Sequence, residues 1–126
     1  IFLRSLRWLV NYAELKEFLL SFKGSSLTFP FDEKTAVFKV GGKMFALSGT
    51  DKKPLAVNLK CDPDDAQVLR SQFEAITPGY HMNKEHWNTV LLDESLDKGL
   101  TQKLIEDSYR LVISTLSLKK RQELSF

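Results

Sequence analysis

Residues 35–47 read Thr-Ala-Val-Phe-Lys-Val-Gly-Gly-Lys-Met-Phe-Ala-Leu, and this stretch decides the fold. Ala36, Phe38 and Val40 alternate with Thr35, Val37 and Lys39, which is the period of two of a half-buried strand. Gly41-Gly42 then supplies two residues free to adopt positive φ, as a tight hairpin between right-twisted strands requires. Residues 43–47 return as the second strand. The polar run 48–54 leads to a third strand at 55–60, with Leu55, Val57 and Leu59 on one face and Ala56, Asn58 and Lys60 on the other. Period-two geometry therefore puts Lys39 and Lys60 on the outward face.

Helices flank this meander. On its N-terminal side Asn11 can cap a helix, with Glu14 three residues on as in a capping box. Leu15, Phe18, Leu19 and Phe22 form its apolar stripe and Gly24 stops it. Residues 25–34 read as a loop, and Phe29-Pro30-Phe31 is expected to plug the edge of the core, since Pro30 forbids central strand pairing. On the C-terminal side Asp62-Pro63-Asp64-Asp65 starts a helix: Asp62 caps, Pro63 needs no N–H in the first turn, and the acids suit the positive dipole end. That helix runs to about residue 73. Pro78-Gly79 reads as a turn followed by a short strand, residues 83–86 as the next turn, and residues 87–92 as the last strand. A long amphipathic helix then occupies 98–116, and Ser117 caps a short final one. The expectation is an α+β fold: an antiparallel β-sheet of about five strands with helices packed on one side, in the order α-β-β-β-α-β-β-α-α.

The chain has 126 residues, enough for a single domain, 1–126, with one core. Leu, Ile, Val and Phe make up about a third of it, well above the disordered range. Cys61 is the single cysteine, so an internal disulfide is excluded and a reducing, cytoplasmic compartment is expected. No apolar run reaches the roughly 18 residues of a membrane span. Residues 1–10 are apolar but carry Arg4 and Arg7 and lack a cap; they read as an N-terminal extension rather than a signal peptide.

The net charge of +2 conceals a polarised chain. Residues 34–60 carry six lysines against Asp51 alone, whereas residues 61–97 hold eight acids against Arg70 and Lys84. Such a division can steer a charged partner; its bland counterpart is a set of solvated faces.

The densest chemistry lies in Tyr80-His81-Met82-Asn83-Lys84-Glu85-His86-Trp87-Asn88. A histidine base beside the Cys61 thiol, itself at a strand-to-helix junction where the dipole favours thiolate, is the one conceivable nucleophilic pair. No third orienting group has recognisable spacing, so no catalytic residue is assigned and the chain is read as a non-enzyme. His81 and His86 lack further ligands at metal spacing, and Gly41-Gly42 lacks a phosphate loop's spacing, so neither metal nor cofactor is expected. The alternative to a packing role for the aromatic turn is a surface with lysines around it. Lys39, Lys43, Lys52, Lys53, Lys60 and Lys84 are the candidate phosphate contacts, with His86 and Trp87 against sugar or base. Arg70 is the sole nearby arginine that could read bases, so binding is expected to be mainly non-specific. A protein-interaction module anchored on residues 80–88 is the rival reading, since Tyr and Trp dominate such contacts.

Several blocks resemble the MmcQ/YjbR family: Phe38-Lys39-Val40-Gly41-Gly42-Lys43-Met44-Phe45-Ala46-Leu47, Val57-Asn58-Leu59-Lys60-Cys61-Asp62-Pro63, Pro78-Gly79-Tyr80-His81-Met82-Asn83-Lys84, His86-Trp87-Asn88-Thr89-Val90, and Ser108-Tyr109 with Leu111-Val112. They run in order over about residues 11–124, with Lys119-Lys120 and Leu124 closing the pattern. The resemblance implies a frataxin-like α+β fold and a cytosolic bacterial DNA-binding module with a double wing of hairpins. The reading adopted is a monomer or weak dimer without membrane attachment. It implies no established enzyme activity and no cofactor. It would set the wing positions on Lys43, Lys60, Lys84, His86 and Trp87.

Overall fold

The computed structural model describes residues 11–80 and 82–126. The elements are α1 (Tyr12–Leu20), β1 (Ser25–Thr28), β2 (Thr35–Val40), β3 (Lys43–Gly49), β4 (Ala56–Lys60), α2 (Pro63–Gln72), β5 (Ile76–Pro78), β6 (Trp87–Leu91), α3 (Lys98–Ser114) and α4 (Leu118–Glu123). All strand pairs are antiparallel, in the sheet order β1-β2-β3-β4-β6-β5. The α+β class, the single-sided helix layer and most of the element order agree with the sequence reading. The reading of residues 1–10 as an extension and every reading of His81 lie outside the described residues.

Three local expectations need correction. The sheet has six strands, because Ser25–Thr28 pairs with β2 instead of looping. Its four residues are too few and too polar to show a period, and pairing with β2 supplies the stability that the segment lacks alone. Phe29 and Phe31 do not plug the core: they are 44% and 71% exposed. The short strand near Pro78 also precedes the turn, at Ile76–Pro78, rather than following it.

The caps behave as their side chains dictate. Asn11 Oδ1 accepts from Glu14 N–H at 2.9 Å, Asp62 Oδ1 from Asp64 and Asp65 at 3.0 and 3.3 Å, and Ser117 Oγ from Lys120 at 3.1 Å. Gly41 and Gly42 hold φ of 59° and 80°, the two left-handed positions that the hairpin demands.

The core lies between the sheet and α1 and α3. Leu15 and Leu19 of α1 and Ile105, Tyr109 and Val112 of α3 meet Ala36, Phe38, Val40, Val57 and Leu59 of the sheet. Phe22, Phe45 and Tyr109 pack edge-on or tilted with ring centroids 4.8–6.1 Å apart, the geometry aromatic quadrupoles favour. The β2–β3 register slips between Phe38 and Lys39, so Phe38 opposes Ala46 and Lys39 opposes Met44. Phe45 is thus the extra residue of a bulge, and both Phe45 and Ala46 enter the core with no exposure.

Candidate nucleic-acid interface

Across the sheet the strand register fixes what each side chain faces. Asn58 opposes Thr89, and Lys60 opposes Trp87; Val37 opposes Leu47, which opposes Asn58. Lys39, Lys60 and Trp87 therefore share the face turned away from α3, as period two requires. The six strands contain three charged residues, Lys39, Lys43 and Lys60, and no carboxylate. Among the described residues the acids sit in helices and connections.

The eight candidate residues do not form one platform. Lys39, Lys43, Lys60, Lys84, His86 and Trp87 lie at the end of the sheet that carries the Gly41-Gly42 turn. Lys52 and Lys53 lie in the β3–β4 loop at the opposite end, about 20 Å away along β3 at the usual strand rise. Lys52 folds its stem against Gly49, where an added Cβ would stand 2.6 Å from Lys52 Cγ. Hairpin connectivity alone separates these two groups.

Several candidates also have structural partners. Lys43 Nζ donates to the Thr115 carbonyl and Oγ1 at 3.2 and 3.3 Å, closing the C-terminus of α3 where a cation is favoured. Lys84 Nζ reaches the Gly79 carbonyl at 3.4 Å. Trp87 is only 9% exposed and its Cβ crowds Gly79, where an added Cβ would come within 2.8 Å. It supports the turn rather than offering a face for stacking. His86 is half-buried. The three ion pairs formed among the described residues use Lys34, Lys103 and Lys120; none uses a candidate lysine.

Arg70 reads nothing outside the molecule. Its Nε donates to Asn88 Oδ1 at 2.6 Å, and its Nη2 donates to the carbonyls of Trp87, at 3.2 Å, and Lys84. One guanidinium fork ties α2 to the turn before β6. Sequence reasoning missed this use, and also a polar relay on the outer sheet face. There the Thr89 hydroxyl donates to Asn58 Oδ1 at 2.6 Å and accepts from the Tyr80 N–H at 3.0 Å. Alternation signalled that Asn58 faces outward; only the β4–β6 register shows that Thr89 meets it.

Cys61 sits one residue beyond β4, and its N–H donates to the His86 carbonyl at 2.7 Å. The backbone thus brings the expected pair side by side. Its acidity runs against a nucleophile, however. Burial, then the charges of Asp65, Asp62 and Asp107, push the thiol pKa up to about 11, so the neutral thiol dominates at physiological pH. The thiolate expected from the dipole of α2 is outweighed by burial first, and then by Asp65 and Asp62 at the start of that same helix.

The YjbR family model matches residues 20–111. This chain belongs to the YjbR family. Among its relatives, the uncharacterized protein YbdF of Escherichia coli O157:H7 is 38% identical over 76% of this chain and 79% of its own length. The uncharacterized protein YjbR of Escherichia coli K12 is 33% identical over 90% and 96%. The crystal structure of Deinococcus radiodurans DR2400, a DUF419 domain, superposes on this YjbR-family chain with a TM-score of 0.86 at 35% identity, covering 94% of this chain and 90% of that one. The MmcQ/YjbR resemblance read from the hairpin and turn blocks is thereby established.

Proposed function

We propose that this YjbR-family domain binds duplex DNA through its phosphate backbone, without base readout, in the bacterial cytoplasm and without catalysing a reaction. The observation that carries the reading is the charge segregation of the sheet: its strands hold lysines and no acid, so no neighbouring strand neutralises Lys39 or Lys60. Backbone contacts need only such uncompensated cations on flexible stems. Lys39, Lys60 and Lys84 form the centre of the interface, Lys43 contributes as far as its tie to Thr115 allows, and Lys52 and Lys53 are a separate contact at the far end. With Arg70 committed internally, sequence specificity has no arginine to carry it.

Titration of duplex DNA at two salt concentrations, read by fluorescence anisotropy, tests the proposal. Binding at low salt that weakens as salt rises supports it; absent or salt-insensitive binding overturns it. One observation favours the protein-interaction alternative: Tyr80 is 69% exposed. That alternative expects Tyr80→Ala to lose a protein partner while Lys39→Gln and Lys60→Gln retain it.

A further inference from the structure

Helices α2 and α3 lie over the same face of the sheet without closing on each other. Between them is a half-open cleft of about 550 Å³, inside the size range of small-molecule sites. Its apolar walls come from one stripe of each helix: Val68 and Leu69 on α2, and Leu100, Leu104 and Leu111 on α3. Val68 is 52% exposed at the rim, so the apolar lining continues out to solvent. Leu59 and Val90 form the floor, with the Cys61 thiol at one end.

The polar part of the lining is unevenly charged. Asp62, Asp65 and Asp107 face two lysines, Lys60 and Lys103. Lys103 is already bound to Asp107 at 2.7 Å, and Lys60 alternates with Leu59 toward the opposite face of the sheet. Asp62 spends one oxygen on the N–H groups of Asp64 and Asp65, while the Asp65 carboxylate is engaged in no ion pair with a described residue. Burial raises the Cys61 pKa most, and all three aspartates add to that rise while Arg70 opposes it. The field at the cleft floor is therefore negative despite the N-terminus of α2 close by. The described residues form no group of three or more metal-ligating side chains, so this field suits an organic cation better than a bare metal ion.

We propose that the α2–α3 cleft binds a small amphipathic cation, an apolar body of roughly eight to ten carbons ending in an ammonium group. The apolar body lies between Leu69, Leu104 and Leu111 and replaces water there. The ammonium group points to the Asp65 side, where it gains a carboxylate that forms no ion pair with a described residue. An anionic amphiphile of the same length is repelled by the same groups, and a neutral one gains the apolar contact alone. This site lies on the helix side of the sheet and shares only Lys60 with the DNA reading.

Octylammonium, octanol and octanoate, titrated separately into the 15N-labelled protein, test it through amide shifts of the α2 and α3 residues. Saturable shifts at Val68, Leu69 and Leu104 with octylammonium, with affinity falling in the order octylammonium, octanol, octanoate, are expected. Asp65→Asn, an exposed change that breaks no ion pair among the described residues, should weaken octylammonium about fivefold and leave octanol unchanged, the upper range for a partly exposed ion pair. Val68→Asp should weaken octanol while its spectrum stays dispersed. Equal affinity for all three compounds, preference for octanoate, no cleft shifts at millimolar octylammonium, or an Asp65→Asn variant that binds as well as the parent would each overturn the proposal.

Discussion

The Ser108 hydroxyl of α3 donates to the Phe45 carbonyl of β3 at 2.6 Å, and the same oxygen accepts from the Lys60 N–H of β4 at 2.9 Å. The β3–β4 ladder pairs Ala46 with Leu59, and at the next rung the helix hydroxyl stands between the two strands in place of a direct bond. The Phe45 bulge and the end of β4 are thereby held by α3. Ser108 is fully buried, and Ser108→Ala leaves one buried carbonyl and one buried N–H unsatisfied. A loss of about 1–3 kcal/mol in urea unfolding is expected. Ser114→Ala, whose exposed hydroxyl bonds only within its own helix, should change stability little.

The two glycines of the hairpin turn should differ although both have positive φ. A Cβ at Gly41 would lie 2.8 Å from both Leu116 methyls, whereas one at Gly42 meets nothing within 4 Å. Each alanine pays roughly 1–2 kcal/mol for the left-handed conformation. Gly41→Ala must in addition displace Leu116, which is 4% exposed, and should show the lower melting temperature of the two.

Arg70→Lys keeps the charge but cannot reproduce a guanidinium fork. It should loosen the turn before β6, raising amide exchange at Trp87 and His86. Charged hydrogen bonds of this type are worth about 1.5–3 kcal/mol, and calorimetry should register a loss in that range. Unchanged exchange at both amides would show that the fork does not hold the turn.

Cys61 supplies a pH dependence. Its native pKa, pushed up to about 11, lies above the ordinary thiol value of 9.0. The native state therefore keeps the proton longer than the unfolded chain does. The contribution to stability is complete below pH 9 and disappears as pH climbs toward 11. Iodoacetamide labelling of the native protein should rise with a midpoint near that upper value, and Cys61→Ser should lose less stability over the same interval. A labelling midpoint near 9 would contradict this environment.

The lysines separate by position on the sheet. Replacing Lys39 and Lys60 together by Gln should reduce the salt slope of DNA binding by about two, at roughly 0.9 per neutralised phosphate. Because Lys52 and Lys53 lie at the other end of β3, their double replacement should add to the first rather than duplicate it. Identical slopes in all variants would remove these residues from the interface.

Much of the architecture was legible because it is local. The period-two runs, the Gly41-Gly42 turn and the caps Asn11, Asp62 and Ser117 involve groups within a few residues of one another. β1 escaped because Ser25–Thr28, four residues with Leu27 as the one apolar side chain, acquires strand structure only from β2. Phe29 and Phe31 were misplaced because hydrophobicity does not say which side of an edge strand a following loop takes. Of the candidate site, the outward positions of Lys39 and Lys60 were readable from alternation. The burial of Trp87 and the commitment of Arg70 were not: the first depends on the turn at Gly79 closing against the tryptophan, the second on α2 meeting the turn before β6, 14–18 residues away from Arg70.

By itself the sequence determined the α+β class, the hairpin and the concentration of lysines in residues 34–60, since each follows from neighbouring residues and backbone preference. Tertiary structure alone decided that Ser108 enters the ladder at Phe45, that Arg70 is tied to the turn before β6, and that Asp107 joins Asp62 and Asp65 near the Cys61 thiol. The physical reason is range: alternation and capping act over one turn or rung. Charge compensation and burial depend on which distant segments share a face, and only the packing of helices on strands settles that.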